Sequence, residues 1–149
     1  MELKNVILGD MTKILFSYPQ LEGVTNGKVY FKNILDHFEL NSSLNIDQFS
    51  FNNEMIGRTL LNASYFKATG LVPFNFTIPN IEYNLSAEGT YNINDSTQPL
   101  DATLHLNHSK FSLVQQFIGG VLTNLDGKAD GSIHFSGRIE RSEEHTSEL

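Results

Sequence analysis

The sequence predicts a mainly β protein whose strands are antiparallel neighbours, interrupted by one short helix. The first sign is alternation of apolar and polar residues over several segments, the period of a half-buried strand. The second is punctuation: Asn26-Gly27 and Asp126-Gly127 are turn dipeptides, and Asn94-Asp95-Ser96-Thr97-Gln98-Pro99 is a polar loop between two strong strands. The third is a single segment, Phe111–Leu122, whose apolar residues fall at helical spacing.

The elements follow in chain order. Lys13–Tyr18 and Gly27–Ile34 read as strands, the second with Val29 and Phe31 on one side. Leu44–Phe51 begins with Leu44 and Ile46 on one face and moves to Phe49 and Phe51 on the other. A bulge near Asp47–Gln48 accounts for that change of phase. Thr59–Lys67 sets Leu61, Ala63 and Tyr65 on one face, and Val72–Ile78 does the same with Val72, Phe74, Phe76 and Ile78. Pro73 and Pro79 read as strand starts or ends. In Ile81–Ile93 the apolar side carries Ile81, Tyr83, Leu85, Ala87, Gly89, Tyr91 and Ile93, against Glu82, Asn84, Ser86, Glu88, Thr90 and Asn92. Leu100–His108 sets Leu100, Ala102, Leu104 and Leu106 opposite Asp101, Thr103, His105 and Asn107.

The helical segment places Val114, Phe117, Ile118, Val121 and Leu122 on one face, with Ser109 or Ser112 as cap. Gly119-Gly120 weakens it by about 1 kcal/mol per glycine, so it should be short and packed over the end of the sheet. The last strand, Gly131–Ile139, opposes Gly131, Ile133, Phe135, Gly137 and Ile139 to Ser132, His134, Ser136 and Arg138.

After Glu140 both periodicities stop. Arg141–Leu149 resembles the conceptual translation of a sequencing-library adapter and is set aside as non-native, leaving residues 1–140 as a piece of a longer chain. Its Arg141, Glu143, Glu144 and Glu148 contribute −2 of the formal charge of −7, so the remainder is still acidic at −5.

An acidic chain of pI about 5.1 offers no basic face to nucleic acid. With 40% hydrophobic and 18% charged residues among 149, it has material for a core and is not a disordered tail. The absence of Cys excludes disulfides, thiolate metal sites and a cysteine nucleophile. The longest uncharged stretches, 68–81 and 111–125, are too short and polar to span a bilayer. Met1-Glu2-Leu3-Lys4-Asn5 lacks the order of a signal peptide. Six of the fifteen Asn stand in Asn-x-Ser/Thr triplets, which an Asn-rich composition produces by chance.

No catalytic constellation stands out. His105 and His108 point to opposite faces of a strand, and His134 lies on a polar face without a locally spaced carboxylate partner. There is no Gly-x-Ser-x-Gly elbow and no glycine-rich loop leading into a helix. Glu82 and Glu88 lie on an otherwise Asn/Ser/Thr face that reads as solvated strand exterior. Neither a cofactor nor a metal is expected, and the chain reads as a non-enzyme.

From Phe49 to Ile139 the chain resembles the C-terminal region of the TamB family, part of the AsmA-like group. Ile56–Tyr65 is similar to that family's Gly-x-x-x-Leu-x-Ala-x-Tyr strand. Gly89-Thr90-Tyr91 followed by Pro99–Leu106 resembles its Gly-x-Tyr and Leu-x-Ala-x-Leu strand pair. Phe111–Gly120 is similar to its short helical insert, and Leu125–Gly137 to its glycine repeat. The Asn-rich composition resembles Bacteroidota members. The resemblance implies an elongated, curved sheet with a β-taco-like apolar groove. It implies a periplasmic span of an inner-membrane-anchored envelope protein and passage of phospholipid along the groove. It implies an Omp85-type outer-membrane protein as partner.

On that reading the acyl chains meet Val72, Phe74, Phe76, Ile78, Tyr83, Leu85, Tyr91, Leu104, Leu106, Ile133 and Phe135, in rows open along their length. Burying an acyl chain there recovers about 0.8 kcal/mol per CH₂, and many similar contacts let the lipid move along. The other reading is a β-sandwich or a module that offers a strand edge, without lipid transport. A polysaccharide-acting β-solenoid would need outer-face carboxylates and aromatics, which are sparse.

Overall fold

The computed structural model describes residues 1–13, 20–110 and 128–137. They form one open, uncurled eight-stranded sheet with one short helix. In order these are β1 (Glu2–Ile7), α1 (Leu8–Thr12), β2 (Leu21–Lys32), β3 (Glu39–Phe51), β4 (Glu54–Phe66), β5 (Leu71–Ile78), β6 (Leu85–Asn92), β7 (Leu100–Lys110) and β8 (Lys128–Gly137). Each strand pairs antiparallel with the next in sequence, so the sheet is an uninterrupted meander. The mainly β, antiparallel class with one short helix is therefore as expected, while the sheet does not close into a curled taco.

The expected helix at Phe111–Leu122, the Asp126-Gly127 turn, most of the Lys13–Tyr18 strand and the tail Arg141–Leu149 lie outside the described residues. The helix that is described, α1, was not foreseen; it turns the chain out of β1 and buries Leu8. Five residues are too few to show a helical period.

The bulge expected at Asp47–Gln48 is present: the register shifts between Ile46 and Phe49, and Gln48 has φ 53°. It keeps Phe49 and Phe51 on the face that Ile46 occupies. Asn26-Gly27 is not a turn but lies inside β2, where Gly27 pairs with Leu44. A Cβ on Gly27 would run into the Ser43 carbonyl and sit 2.9 Å from the Leu44 Cα, so the glycine serves close strand approach. Asn26 Oδ1 accepts the Asn5 N–H at 2.9 Å, where β1 bulges. A tight turn does occur at Asn52-Asn53, with φ 47° and 68°, the two left-handed residues of a two-residue hairpin loop.

Pro73 lies within β5 rather than at its end. The β4–β5 ladder lapses opposite it, between Ala63↔Phe74 and Phe66↔Leu71, because proline has no N–H to give. The Ile81–Ile93 strand shortens to Leu85–Asn92; Ile81 is in the preceding bend and 88% exposed. The polar loop before β7 is held by Asp95, whose carboxylate accepts the N–H groups of Gln98 and Thr97 and the Thr97 hydroxyl, each at 2.9 Å. Those bonds hold the Asp95 carboxyl below the ordinary carboxylate range, the Gln98 N–H contributing most.

Gly89 packs closely against β7. A Cβ there would lie 2.6 Å from both Cα and Cβ of Ala102 and closer still to the Asp101 carbonyl. Gly89→Ala should therefore cost about 1–3 kcal/mol, because the added carbon meets backbone that cannot yield easily. A urea titration should show the lowered midpoint; an unchanged midpoint would mean that the two strands are not so closely apposed.

Candidate functional site

The sheet has one apolar and one polar face, and the register lines the apolar residues into rows across the strands. One row crosses all eight: Leu3, Gly27, Leu44, Leu61, Phe76, Ala87, Leu104 and Ile133 stand opposite one another in turn. With strands about 4.8 Å apart, such a row is about 34 Å long. Not one member is polar or charged. A second row runs Phe74, Gly89, Ala102, Phe135, two small residues between two phenylalanines. This gives a low floor on β6 and β7 with an aromatic wall on either side.

All eleven residues expected to line a groove fall on this face. Val72, Phe74, Phe76 and Ile78 pair with Tyr91, Gly89, Ala87 and Leu85, which in turn pair with Leu100, Ala102, Leu104 and Leu106. Ile133 and Phe135 pair with Leu104 and Ala102. Tyr83 precedes β6 and packs into the same cluster.

Their exposure is graded, and this corrects the expectation of rows open along their whole length. Ile78, Tyr83, Leu85, Leu104 and Leu106 are buried, in a cluster with Phe51, Ile56 and Ala87. They lie in the half of the face nearer the Asn52-Asn53 turn and the β5–β6 connection, the base end. Tyr83 is further committed there by its hydroxyl, which donates to Glu54 Oε1 at 2.6 Å, so it acts as a core residue. Val72, Phe74, Phe76, Ile133 and Phe135 are half-buried, and Tyr91 is exposed. Tyr91 and Val72 lie towards the tip end, where the β2–β3, β4–β5 and β6–β7 connections gather. Phe31, Phe38 and Tyr65 extend the apolar surface there, with ring centroids 5.9 Å and 6.2 Å apart. Phe31 and Tyr65 were placed on strand faces from the sequence, but none of the three was expected to line the groove.

Polar side chains also sit in the apolar face, Ser42 between Val29 and Ala63 among them. Thr25 and Thr59 both stand opposite Ile46, are buried, and have hydroxyls with no hydrogen-bond partner among the described residues. Their hydroxyls cost stability at the dry end of the face.

The polar face carries cross-strand pairs. Asn62 donates to Asn75 at 3.2 Å, Ser64 to Asn41 at 2.7 Å, and Arg58 to Asn45 at 3.0 Å. His134 Nε2 lies 2.6 Å from Asp101. His105 contacts Ser132 at 2.8 Å and Glu88 at 3.4 Å, the residue types of a hydrolytic triad. His105, Ser132, Glu88, His134 and Asp101 are all exposed on this face. A depression of about 510 Å³ on this side is lined mostly by Asn, Ser and Thr, with Glu88 its one carboxylate. The described residues contain no cluster of three His, Asp or Glu with metal-binding geometry. They also contain no helix long and apolar enough to cross a membrane.

Compared with protein-family models, curated proteins and solved structures, the chain matches none.

Proposed function

We propose that the sheet is a TamB-like segment of a periplasmic bridge that carries phospholipid acyl chains across its apolar face. The observation that supports this reading is the apolar row that crosses all eight strands without a polar interruption. A closed domain needs an apolar patch on a sheet; it does not need one that is continuous from edge to edge. The stretch about half-buried Phe74, Gly89 and Phe135, with buried Ala102 in its floor, is the seat for the chain. An acyl chain of about half the 30 Å hydrocarbon thickness of a bilayer would cover about three or four strands. At about 0.8 kcal/mol per CH₂, part of such a chain is enough to hold a lipid out of water. No reactive group is required, and the protein acts without catalysis. The parent protein, on this reading, is anchored in the inner membrane and meets an Omp85-type partner at the outer one.

The buried base end favours a second reading, in which the face is an ordinary core and the chain a structural or strand-edge module. Lipid extraction separates the two. Purified without detergent, the chain should yield bound phospholipid, and once stripped should take it up again from vesicles. A chain that is lipid-free and takes up none is a closed core.

A further inference from the structure

The β2–β3 hairpin tip presents apolar side chains with nothing against them. Ile34 is 71% exposed and Leu35 102%, side by side at the turn. Both lie beyond the strands, so neither belongs to the face described above. Directly behind them Phe31 and Tyr30 are exposed, with the Phe38 ring tilted against that of Phe31. Lys32 closes β2 beside them, and Lys67 is brought alongside by its N–H, which donates to the Phe38 carbonyl at 3.0 Å. Ile93, 58% exposed, lies at the same end, its N–H bonded to the Gly70 carbonyl of the β4–β5 turn.

We propose that this tip docks the chain on the surface of a phospholipid bilayer. Two protruding aliphatic side chains cannot supply the ~800 Å² per partner that a stable protein–protein contact buries. A bilayer asks for no matching surface: it admits a small apolar point and is gripped by aromatic rings set at headgroup depth. From the tip inward come Ile34 and Leu35, with exposed Asp36 and His37 next to them and 3.7 Å apart, and then the aromatic rings and Lys32, so that the aliphatic pair enters while the polar pair stays at headgroup depth. The overall charge of −7 makes apolar insertion, rather than attraction to anionic lipid, the driving term. The proposal does not rest on lipid carriage by the sheet.

The chain contains no Trp, so Leu35→Trp in the full chain creates a single emitter at the tip. Phosphatidylcholine vesicles should shift its emission to the blue, and brominated acyl chains should quench it, in low and high salt alike. Met55→Trp, exposed at the opposite end of the sheet, should show neither effect. The double variant I34S/L35S should lose about tenfold in vesicle partitioning. It should keep its thermal unfolding and its extractable lipid, which separates tip docking from carriage. No shift at position 35, an equal shift at position 55, or a shift that grows with protein concentration without vesicles would each overturn the proposal.

Discussion

Leu85→Asp should abolish cooperative folding. Leu85 is 2% exposed and pairs with Ile78 on one side and Leu106 on the other, both also buried. Phe51, Ile56, Ile78 and Leu104, which share its cluster, are apolar side chains that give a carboxylate no hydrogen bond. It must remain charged in an apolar site or be protonated at a cost, and either exceeds what a marginally stable sheet can absorb. Leu85→Ala, which only removes volume, should cost about 2–5 kcal/mol and leave a measurable transition. Circular dichroism through a urea titration checks both. A cooperative Leu85→Asp transition near that of the parent would mean that this half of the face is open to water. Leu104 should respond in the same way. At 4% exposure a charge at Leu104 should unfold the sheet rather than block a ligand selectively.

The second large effect is expected at Phe74. It is half-buried and stands opposite Gly89, so its ring borders the floor rather than filling a closed core. Phe74→Asp should remove most extractable phospholipid while the urea transition shifts far less than for Leu85→Asp, because water already reaches the side chain. Phe135→Asp, on the opposite wall, should behave alike. Loss of fold and loss of lipid in equal measure at both positions would favour the closed-core reading.

The faces of the strands were legible because alternation has a period of two and a meander keeps neighbours in register. That is enough to place Val72, Tyr91, Leu104 and Phe135 together, though they are distant in sequence. The Asp47–Gln48 bulge was legible for the same reason, since a change of phase leaves a mark in the pattern. Other features were not. Asn26-Gly27 has the chemistry of a turn, but whether a glycine serves a turn or a close strand contact depends on the partner strand, here Leu44 of β3. Pro73 reads as a strand end until its place opposite a lapsed ladder is seen. The Asn52-Asn53 turn does carry a local signal, a pair of residues tolerant of positive φ between two strands. Burial was the main gap. Alternation tells which side of a strand is apolar, but not whether that side is covered, and so it could not separate buried Leu85 from exposed Tyr91 six residues on.

The most direct test of lipid carriage uses the alternation itself. A photo-crosslinking residue at Phe74 points to the apolar face, and one at the adjacent Asn75 to the polar face, where Asn75 accepts from Asn62. Irradiated in cells, the Phe74 position should give phospholipid adducts and the Asn75 position none. Adducts at neither position, or at both equally, would contradict the account.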